Sequence, residues 1–251
     1  MSLFDRARRG LAARLAGSAP EAPVESPVAV AGRLLGGAPG GVVVDVGAHH
    51  GDSTLDLIAA FPQATVHAFE PDAQNHAAAA VKLAGRAVLH RAALSDRDGT
   101  ATLRVNSHDG THSLLDIGAQ RYWGAWAGPV GAEEVPTATL DSFCAAAGIG
   151  RVDLLKMDIQ GAELAALRGA SGLLARQGIG AVLLEVLFQP LYKDQPLFWE
   201  IGAYLASHGY GLYRLFEPQY HPRNPRVLSW ADALFLAPSF LEVPEWEPPP
   251  A

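Results

Sequence analysis

A glycine-containing turn and an acidic side chain further along the chain are the first residues here that can carry chemistry. The turn reads DVGAHHGDST (45–54), and Glu70 follows in the segment AFEPD. Gly47 and Gly51 allow a tight turn in which the backbone approaches a ligand. The helix predicted to begin near Ser53 offers free N–H groups to an anion such as a carboxylate. A carboxylate at position 70 can accept hydrogen bonds from both hydroxyls of a ribose, so the pattern indicates a site for a nucleoside-containing cofactor.

Two cofactors fit this pattern, NAD and S-adenosylmethionine. A dinucleotide fingerprint needs glycines at positions 47, 49 and 52, but His49 and Asp52 occupy the last two. The methionine end of S-adenosylmethionine carries an ammonium group, and Asp45 lies beside the turn to supply a carboxylate. Asp45 has an alternative structural role as a turn-capping residue. The sequence therefore favours S-adenosylmethionine, with an NAD-linked oxidoreductase as the alternative.

The acceptor side of a methyl transfer needs a group that aligns the nucleophile and, for an alcohol, removes its proton. Asp158, at the carboxyl end of the predicted strand VDLLKMD, is the best-placed base, although it can also cap the helix predicted near Gly161. Glu163 can support Asp158 or form a capping pair. Glu185 belongs to an apolar strand, where a carboxylate is costly to bury unless it is paired. We therefore expect Asp158 and Glu185 at the acceptor site.

Histidines add a second candidate chemistry. His108 and His112 lie four residues apart in the loop NSHDGTHSLL (106–115), together with Asp109. They can bind a divalent metal, act as a general base over the substrate, or simply belong to a substrate-covering loop. His49 beside the cofactor turn ranks below Asp158 as a base. Three aromatic side chains of the same insert can stack on a sugar ring or pack in a core: Tyr122, Trp123 and Trp126.

Short β-branched runs alternate with helical patterns along the chain, which predicts an α/β protein with a mostly parallel sheet. Ligands of such a sheet bind beyond the carboxyl ends of its strands, where the candidate residues stand. An insert over residues 99–139 interrupts the alternation, and its runs ATLRV (101–105) and EEVPTATL (133–140) predict a hairpin or flap that covers the substrate. The predicted strands of the sheet are VVVDV (42–46), TVHAFE (65–70), AVLHRAAL (87–94), VDLLKMD (152–158), AVLLEVLF (181–188), YGLYRLF (210–216) and ADALFLA (231–237).

The two ends of the chain differ from this central part. Residues 1–34 predict an N-terminal helix with several arginines and a linker, which can also touch a membrane or a partner. The acidic, proline-rich residues 241–251 predict a disordered tail. The domain itself is therefore expected over residues 35–240. Helices are predicted from about Ser53 to Phe61, from Asp72 to Ala84, and from Leu197 to His208.

Composition excludes several classes of protein. With 49% hydrophobic and 18% charged residues, the chain of 251 residues is neither disordered nor fibrous. A net charge of −7 argues against a general nucleic-acid binder, which relies on basic surface. A single cysteine, Cys144, excludes an internal disulfide framework. No apolar run approaches the ~20 residues that span a bilayer, so we expect a cytoplasmic protein.

Several segments, in the right order over about residues 35–237, resemble the FkbM family of S-adenosylmethionine-dependent methyltransferases. They are DVGAHHGDST, AFEPD, AALSDRDG, LLKMDIQGAELAALRGA, EVLFQPLYKDQPLF and ADALFL, of which DIQGAEL is the most specific. The resemblance implies the class I methyltransferase fold, a Rossmann-like seven-stranded sheet with helices on both faces and a reversed final hairpin. It also implies O-methylation of a hydroxyl on a sugar, glycan, glycolipid or secondary metabolite.

The resemblance carries over to individual residues of this chain. It implies a cofactor loop built on Asp45, Gly47 and Gly51, with Ser53 and Thr54 near the amino-acid moiety. It implies Glu70 on the ribose and Ser95 and Asp96 beside the adenine. The acceptor is then oriented or deprotonated by Asp158 with Glu185 or His112. The family's frequent glutamate after the fourth strand is Gln160 here, which weakens a magnesium site built on that residue. A homodimer and a non-catalytic cofactor-binding module of the same fold are the other possibilities.

Overall fold

The computed structural model describes residues 25–118, 127–221 and 224–241. Within these ranges the chain forms a seven-stranded sheet and a smaller three-stranded sheet. The strands are β1 (Val42–Val46), β2 (Thr65–Phe69), β3 (Val88–His90), β4 (Ala93–Leu94), β5 (Gly99–Asn106), β6 (Pro129–Ala138), β7 (Val152–Met157), β8 (Ile179–Leu187), β9 (Gly211–His221) and β10 (Asn224–Leu236).

Helices connect most of these strands. The α-helices are α1 (Pro27–Leu34), α2 (Asp52–Ala60), α3 (Ala73–Leu83), α4 (Leu140–Ala147), α5 (Glu163–Arg168), α6 (Ser171–Ala175) and α7 (Phe198–Ser207). Local signals set several boundaries. Asp72 caps α3 by accepting the backbone N–H groups of Gln74 and Asn75, and the helix ends at Ala84 in a left-handed conformation. The three helices expected from the sequence are present, each with bounds within one residue of the prediction.

The strand order of the large sheet is β3-β2-β1-β7-β8-β10-β9. β1 runs parallel to both β2 and β7, whereas β10 is antiparallel to its neighbours β8 and β9. After β3 the chain crosses back to β7 on the other side of β1, so the order reverses between β1 and β7. The carboxyl ends of parallel strands at such a reversal form the crevice in which ligands of this architecture bind. The predicted mostly parallel sheet with a reversed final hairpin is confirmed.

Both faces of the large sheet are covered by apolar packing. Val44 and Leu155 belong to one hydrophobic cluster, while their neighbours Val43 and Leu154 belong to another. Alternate residues of a strand point to opposite faces, so the two clusters lie on the two sides of the sheet. This explains why the central strands read as continuous apolar runs rather than alternating ones. Each fully buried side chain of this kind contributes ~1.5–3 kcal/mol to stability.

The helix α1 packs on one of these faces. Ser26 caps it, and Val30 and Ala31 within it are fully buried in the same cluster as Val43 and Phe61. The described residues before position 35 therefore pack against the sheet. The arginine-containing segment before residue 25 and the tail beyond Leu241 lie outside the described residues, so the predicted domain limits stay predictions. No helix in the described ranges is long and apolar enough to cross a membrane.

The prediction of a single third strand over residues 87–94 is wrong. Val88–His90 pairs with β2 at the edge of the large sheet, and the backbone then leaves that sheet. Ala93 and Leu94 pair instead with Thr137 and Ala138 of β6 in the small sheet. In the small sheet both residues are buried: Ala93 is 7% exposed and Leu94 is 2% exposed.

The insert forms the predicted hairpin, since β5 and β6 pair antiparallel from Gly99 to Asn106. The final hairpin is longer than predicted, because β9 and β10 extend through the segment EPQYH and through NPRVLSW. Pro218 lies in β9 at the sheet edge, and Pro225 lies in β10 where the pairing with β9 is interrupted by several register shifts. Edge strands and bulges are the places where a sheet accepts proline.

Candidate active site

The backbone of the turn between β1 and α2 packs directly against the backbone at the end of β7. Gly47 has a φ of 83°, and its N–H donates to the carbonyl of Phe69 at 3.0 Å. A Cβ atom at this position would lie 2.0 Å from the carbonyl oxygen of Asp158. Gly51, with a φ of 87°, stands at the N-cap of α2. Only glycine allows both the left-handed conformation and the close approach at position 47, so the turn is fixed against the neighbouring strand.

Asp45 lies behind this turn and is wholly buried. Its Oδ2 accepts hydrogen bonds from the hydroxyls of Ser53 at 2.9 Å and Thr54 at 2.7 Å. Its Oδ1 lies 3.1 Å from the Nζ atom of Lys156. These contacts bring three predicted cofactor residues together and anchor the start of α2 to β1. A direct contact between Asp45 and a cofactor stays a prediction.

Lys156 is a site residue that the sequence interpretation missed. Its side chain is 12% exposed and lies between β1 and β8, in the middle of the apolar strand β7. Burial lowers the pKa of Lys156, but the nearby charges of Asp45 and Asp158 outweigh burial and raise it above its usual value. The lysine therefore stays protonated. The rule that singled out Glu185, that a charge in an apolar strand needs a partner, applied equally to Lys156.

Glu70 ends β2 beside the cofactor turn. Its Oε2 accepts the backbone N–H of His49 at 2.8 Å, and its Oε1 accepts the backbone N–H of Asp72 at 2.9 Å. The side chain is only 6% exposed. Burial raises the pKa of Glu70 to about 7, although the two backbone hydrogen bonds oppose the shift. Each oxygen retains a lone pair, so the carboxylate can still accept the hydroxyls of a ribose.

Gln160 joins the two carboxylates predicted on the acceptor side. Its Nε2 donates to Oδ1 of Asp158 at 2.7 Å and to Oε2 of Glu185 at 3.3 Å. The hydroxyl of Tyr192, from the Pro-Leu-Tyr segment after β8, donates to Oε1 of Gln160 at 2.9 Å. The amide thus satisfies both acids with its two N–H groups. The residue that departs from the family pattern is the bridge between the predicted catalytic groups.

Glu163 caps α5 from inside its own first turn. The carboxylate accepts the backbone N–H groups of Ile159 at 3.1 Å and Gly161 at 3.3 Å. Burial raises the pKa of Glu163 to about 7, although these backbone hydrogen bonds oppose the shift. The capping alternative for Glu163 is the one that the structure shows. The N-cap residue of α5 is Ala162 rather than Asp158, so the alternative capping role of Asp158 is absent.

A cavity of about 1090 Å³ lies over the carboxyl ends of β1, β2, β7 and β8. Its walls combine the cofactor turn, the acceptor-side groups and residues 107–110 and 112–114 of the insert. The predicted site residues on its surface are Gly47, Ser53, Glu70, Asp158, Glu185 and His112, together with Lys156 and Gln160. One connected space thus brings the cofactor residues and the acceptor residues together.

Several predicted residues take other positions. Asp45 and Thr54 are buried behind the wall. His112 does line the cavity, but its Nδ1 atom accepts the backbone N–H of Asn106 at 3.2 Å, and its Nε2 lies 4.0 Å from Asp72. Ser95 and Asp96 follow β4 and are not among the described residues that line the cavity, so their contact with adenine stays a prediction. The aromatic cluster at 122, 123 and 126 lies outside the described residues.

The strand order, the glycine turn after β1 and the acid after β2 are those of the class I methyltransferase fold, an open α/β sheet whose ligands bind in this crevice. The chain belongs to the Methyltransferase FkbM domain family, whose model matches residues 45–212. The predicted family, the methyltransferase activity and the cofactor S-adenosylmethionine are thereby confirmed. The family also decides against the NAD-linked oxidoreductase.

Relatives of known name share this domain. The 2-O-methyltransferase NoeI from Sinorhizobium fredii is 28% identical over 169 residues, covering 62% of this chain and 68% of that protein. The methyltransferase FkbM from Methylobacillus flagellatus is 19% identical with a TM-score of 0.48, covering 79% of this chain and 44% of that chain. This chain thus spans less than half the length of that protein. A putative tRNA methyltransferase from Streptococcus pneumoniae, solved with S-adenosyl-L-methionine, is 11% identical with a TM-score of 0.44, covering 85% of this chain and 73% of that chain.

Proposed function

We propose that this methyltransferase transfers the methyl group to a hydroxyl oxygen of a sugar, as part of a glycan, a glycolipid or a secondary metabolite. The observation that carries the proposal is the paired carboxylates of Asp158 and Glu185, held by Gln160 in the same cavity as Glu70. A carboxylate that faces the acceptor in such a cavity can orient a hydroxyl and accept its proton. The name of the relative NoeI, a 2-O-methyltransferase, supports oxygen as the methyl acceptor.

Asp158 is the residue we assign to the acceptor's proton. It follows β7 directly, and its backbone carbonyl lies against Gly47 of the cofactor turn. An acceptor oxygen that hydrogen-bonds to Asp158 is therefore held close to the cofactor turn, as an in-line displacement requires. Lys156, held by the carboxylate of Asp45, places a positive charge near Asp158. Glu70 takes the ribose on the other side of the turn.

The substitution Asp158→Asn tests the acceptor role. Asparagine keeps an oxygen that accepts from Gln160 but loses the base, so cofactor binding should persist while turnover falls roughly 100- to 10,000-fold. Turnover is measured as S-adenosylhomocysteine formed with a panel of sugar acceptors, and binding by calorimetry. Glu133→Gln, on the outer surface at an ion pair with Arg91, is the control with unchanged turnover. Turnover of Asp158→Asn near the wild-type rate would assign the base elsewhere, with His112 next in line.

The same assay separates an enzyme from a cofactor-binding module. An enzyme forms methylated acceptor and S-adenosylhomocysteine in equal amounts. A module binds the cofactor with no acceptor-dependent product in any sugar class. The expected result is acceptor-dependent product with at least one glycan or glycoside.

The cytoplasmic location and the homodimer belong to the same proposal. The single cysteine, Cys144, is buried and free, which suits a reducing compartment. The outer strand β9 is the edge of the large sheet and carries exposed apolar side chains such as Tyr213 at 44%, so this edge offers a place for a second copy. Light scattering of the full chain tests the dimer, and a monomeric mass would exclude it.

A further inference from the structure

Two histidines of the cofactor turn face one carboxylate of the insert. His49 and His50 are adjacent in sequence, and their rings stack with centroids 3.8 Å apart. The Oδ2 atom of Asp109 lies 3.3 Å from Nε2 of His49 and 3.3 Å from Nε2 of His50. All three ligand atoms fall within 4.8 Å of one another. Asp109 comes from the loop between β5 and β6, more than fifty residues away, so the folded chain brings the group together.

The two carboxylate-to-imidazole separations fit the coordination sphere of a small metal ion. A tetrahedral ion with bonds of ~2.0–2.1 Å holds neighbouring ligand atoms roughly 3.3–3.4 Å apart. Both carboxylate-to-imidazole distances match this value. The Oδ1 atom of Asn75 lies 3.0 Å from Nε2 of His50 and adds a neutral oxygen on the same side.

Asp109 and His49 are oriented by contacts that leave their ligand atoms available, whereas a bound ion would replace the hydrogen bond between Nε2 of His50 and Oδ1 of Asn75. Oδ1 of Asp109 accepts the backbone N–H of Gly110 at 2.9 Å, so Oδ2 turns towards the histidines. The backbone N–H of His49 donates to the carboxylate of Glu70. This hydrogen bond holds His49 in its left-handed conformation, with a φ of 50°. The buried Nε2 atom of His49 makes no hydrogen bond within the part of the chain that the structure describes.

We propose that His49, His50 and Asp109 bind one divalent transition-metal ion of the zinc type at the edge of the cofactor cavity. Imidazole ligands favour zinc, cobalt and nickel, whereas magnesium prefers an all-oxygen set. The site differs from the predicted set of His108, His112 and Asp109, of which only Asp109 takes part. All three ligands line the cavity. A bound ion therefore ties the insert to the cofactor turn, and with three protein ligands it keeps a position for water or an acceptor oxygen.

The test measures metal binding by the full chain, without an affinity tag, after chelator treatment and without cofactor. Co²⁺ is titrated and followed by its visible absorption, and Zn²⁺ is titrated against a chromophoric chelator. The expected result is one tight site per chain. His49→Asn, His50→Gln and Asp109→Asn should each weaken it by about 100-fold or more, since even outer-shell partners change metal affinity 10- to 100-fold. Asparagine suits position 49 because it tolerates a positive φ.

His208→Gln is the matched control, because this histidine lies at the end of α7 and contacts Tyr204 rather than the cavity. It should keep the tight site. Hydrogen exchange of residues 107–113 should slow on Zn²⁺ addition in the wild type and in this control only. Equal metal affinity in wild type and in the three site variants overturns the proposal, as does the absence of a tight site in the wild type. Circular dichroism of each variant excludes misfolding as the cause of lost binding. Binding of S-adenosylhomocysteine is measured separately, so a failure of the proposed methyl-transfer function is distinguished from a failure of the metal site.

Discussion

Glu70 makes cofactor binding sensitive to pH near neutrality. Burial raises the pKa of its carboxyl to about 7 in the free protein, and the ionised form is the better acceptor for ribose hydroxyls. Because a ligand that prefers the ionised form binds less well once the group is protonated, affinity should fall as pH decreases through about 7. The limiting slope is tenfold per pH unit. Calorimetric titration with S-adenosylhomocysteine at about pH 8 and about pH 6 measures it.

The variant Glu70→Gln is the matching control for this profile. Glutamine keeps one acceptor oxygen and does not titrate, so its affinity should be lower at high pH and nearly independent of pH. The same raised pKa implies that Glu70 favours folding less as pH rises between its unfolded and folded pKa values, since the unfolded carboxyl ionises first. A wild-type profile as flat as that of the variant would exclude Glu70 from the ribose site.

Lys156 should matter for stability far more than a surface lysine does. Lys156→Met leaves the buried carboxylate of Asp45 without its cation, a loss that typically costs ~3–5 kcal/mol. Lys82→Met removes the ion pair with Asp52, in which both side chains are about one third exposed, and should cost less than ~1 kcal/mol. Urea unfolding of both variants provides the comparison. Equal losses would mean that Asp45 does not depend on Lys156.

The turn between β1 and α2 depends on a contact as well as on a backbone angle. Gly47→Ala creates both a steric clash and backbone strain, because the new Cβ falls 2.0 Å from the carbonyl oxygen of Asp158 and φ is 83°. Gly85→Ala creates only the backbone strain, since φ is 77° and no atom lies within 4 Å of its Cβ position. A left-handed alanine alone costs roughly 1–2 kcal/mol. Thermal unfolding should show a larger loss at position 47, accompanied by weaker binding of S-adenosylhomocysteine; equal losses would contradict the close approach.

At the scale of elements, the sequence predicted the strands best where the pattern was continuous. VVVDV and VDLLKMD are central strands buried on both faces; the first matches its strand residue for residue, and the second runs one residue past the strand's end at Met157. The segment 87–94 was wrongly predicted as one strand, because its two halves belong to different sheets. The second half joins the small sheet by pairing with β6, over forty residues away, and the local sequence does not show that contact. The extension of the last hairpin was not predicted; it runs through Pro218 and Pro225, at an edge and at an irregular pairing where a sheet accepts proline.

The candidate site follows the same division between local and long-range information. The cofactor turn and Glu70 could be predicted, because glycines and acids at strand ends have a local signature. Gln160 could not be predicted as the bridge, since its partner Glu185 lies on another strand and nothing in the local sequence shows the contact. Asp109 was identified as a candidate ligand, but its histidine partners come from the cofactor turn rather than from its own loop.

Across the whole molecule, one tyrosine connects the segments that enclose the acceptor side. The hydroxyl of Tyr192 lies 2.9 Å from Gln160 after β7 and 3.1 Å from the carbonyl oxygen of Thr111 in the insert. An isolated β-bridge between Ile117 and Tyr192 also joins the insert to the segment after β8. Gln160 in turn holds the two carboxylates. The geometry of the acceptor site therefore depends on Tyr192, although this residue is not among those that line the cavity.

Tyr192→Phe tests this dependence, since the side chain keeps its volume and loses only the hydroxyl. Oε1 of Gln160 then lacks this donor, a loss that typically costs ~1–3 kcal/mol for a buried acceptor and frees the amide to reorient, whereas the carbonyl of Thr111 still accepts from Nδ2 of Asn106. We expect unchanged affinity for S-adenosylhomocysteine, turnover lowered at least about tenfold, and faster hydrogen exchange in residues 106–118. Tyr204→Phe is the control, because its hydroxyl makes a 3.5 Å contact with Leu167 on the far side of α5, and it should change neither turnover nor exchange. Normal turnover with fast exchange in Tyr192→Phe would show that the hydroxyl holds the insert without positioning the acid pair.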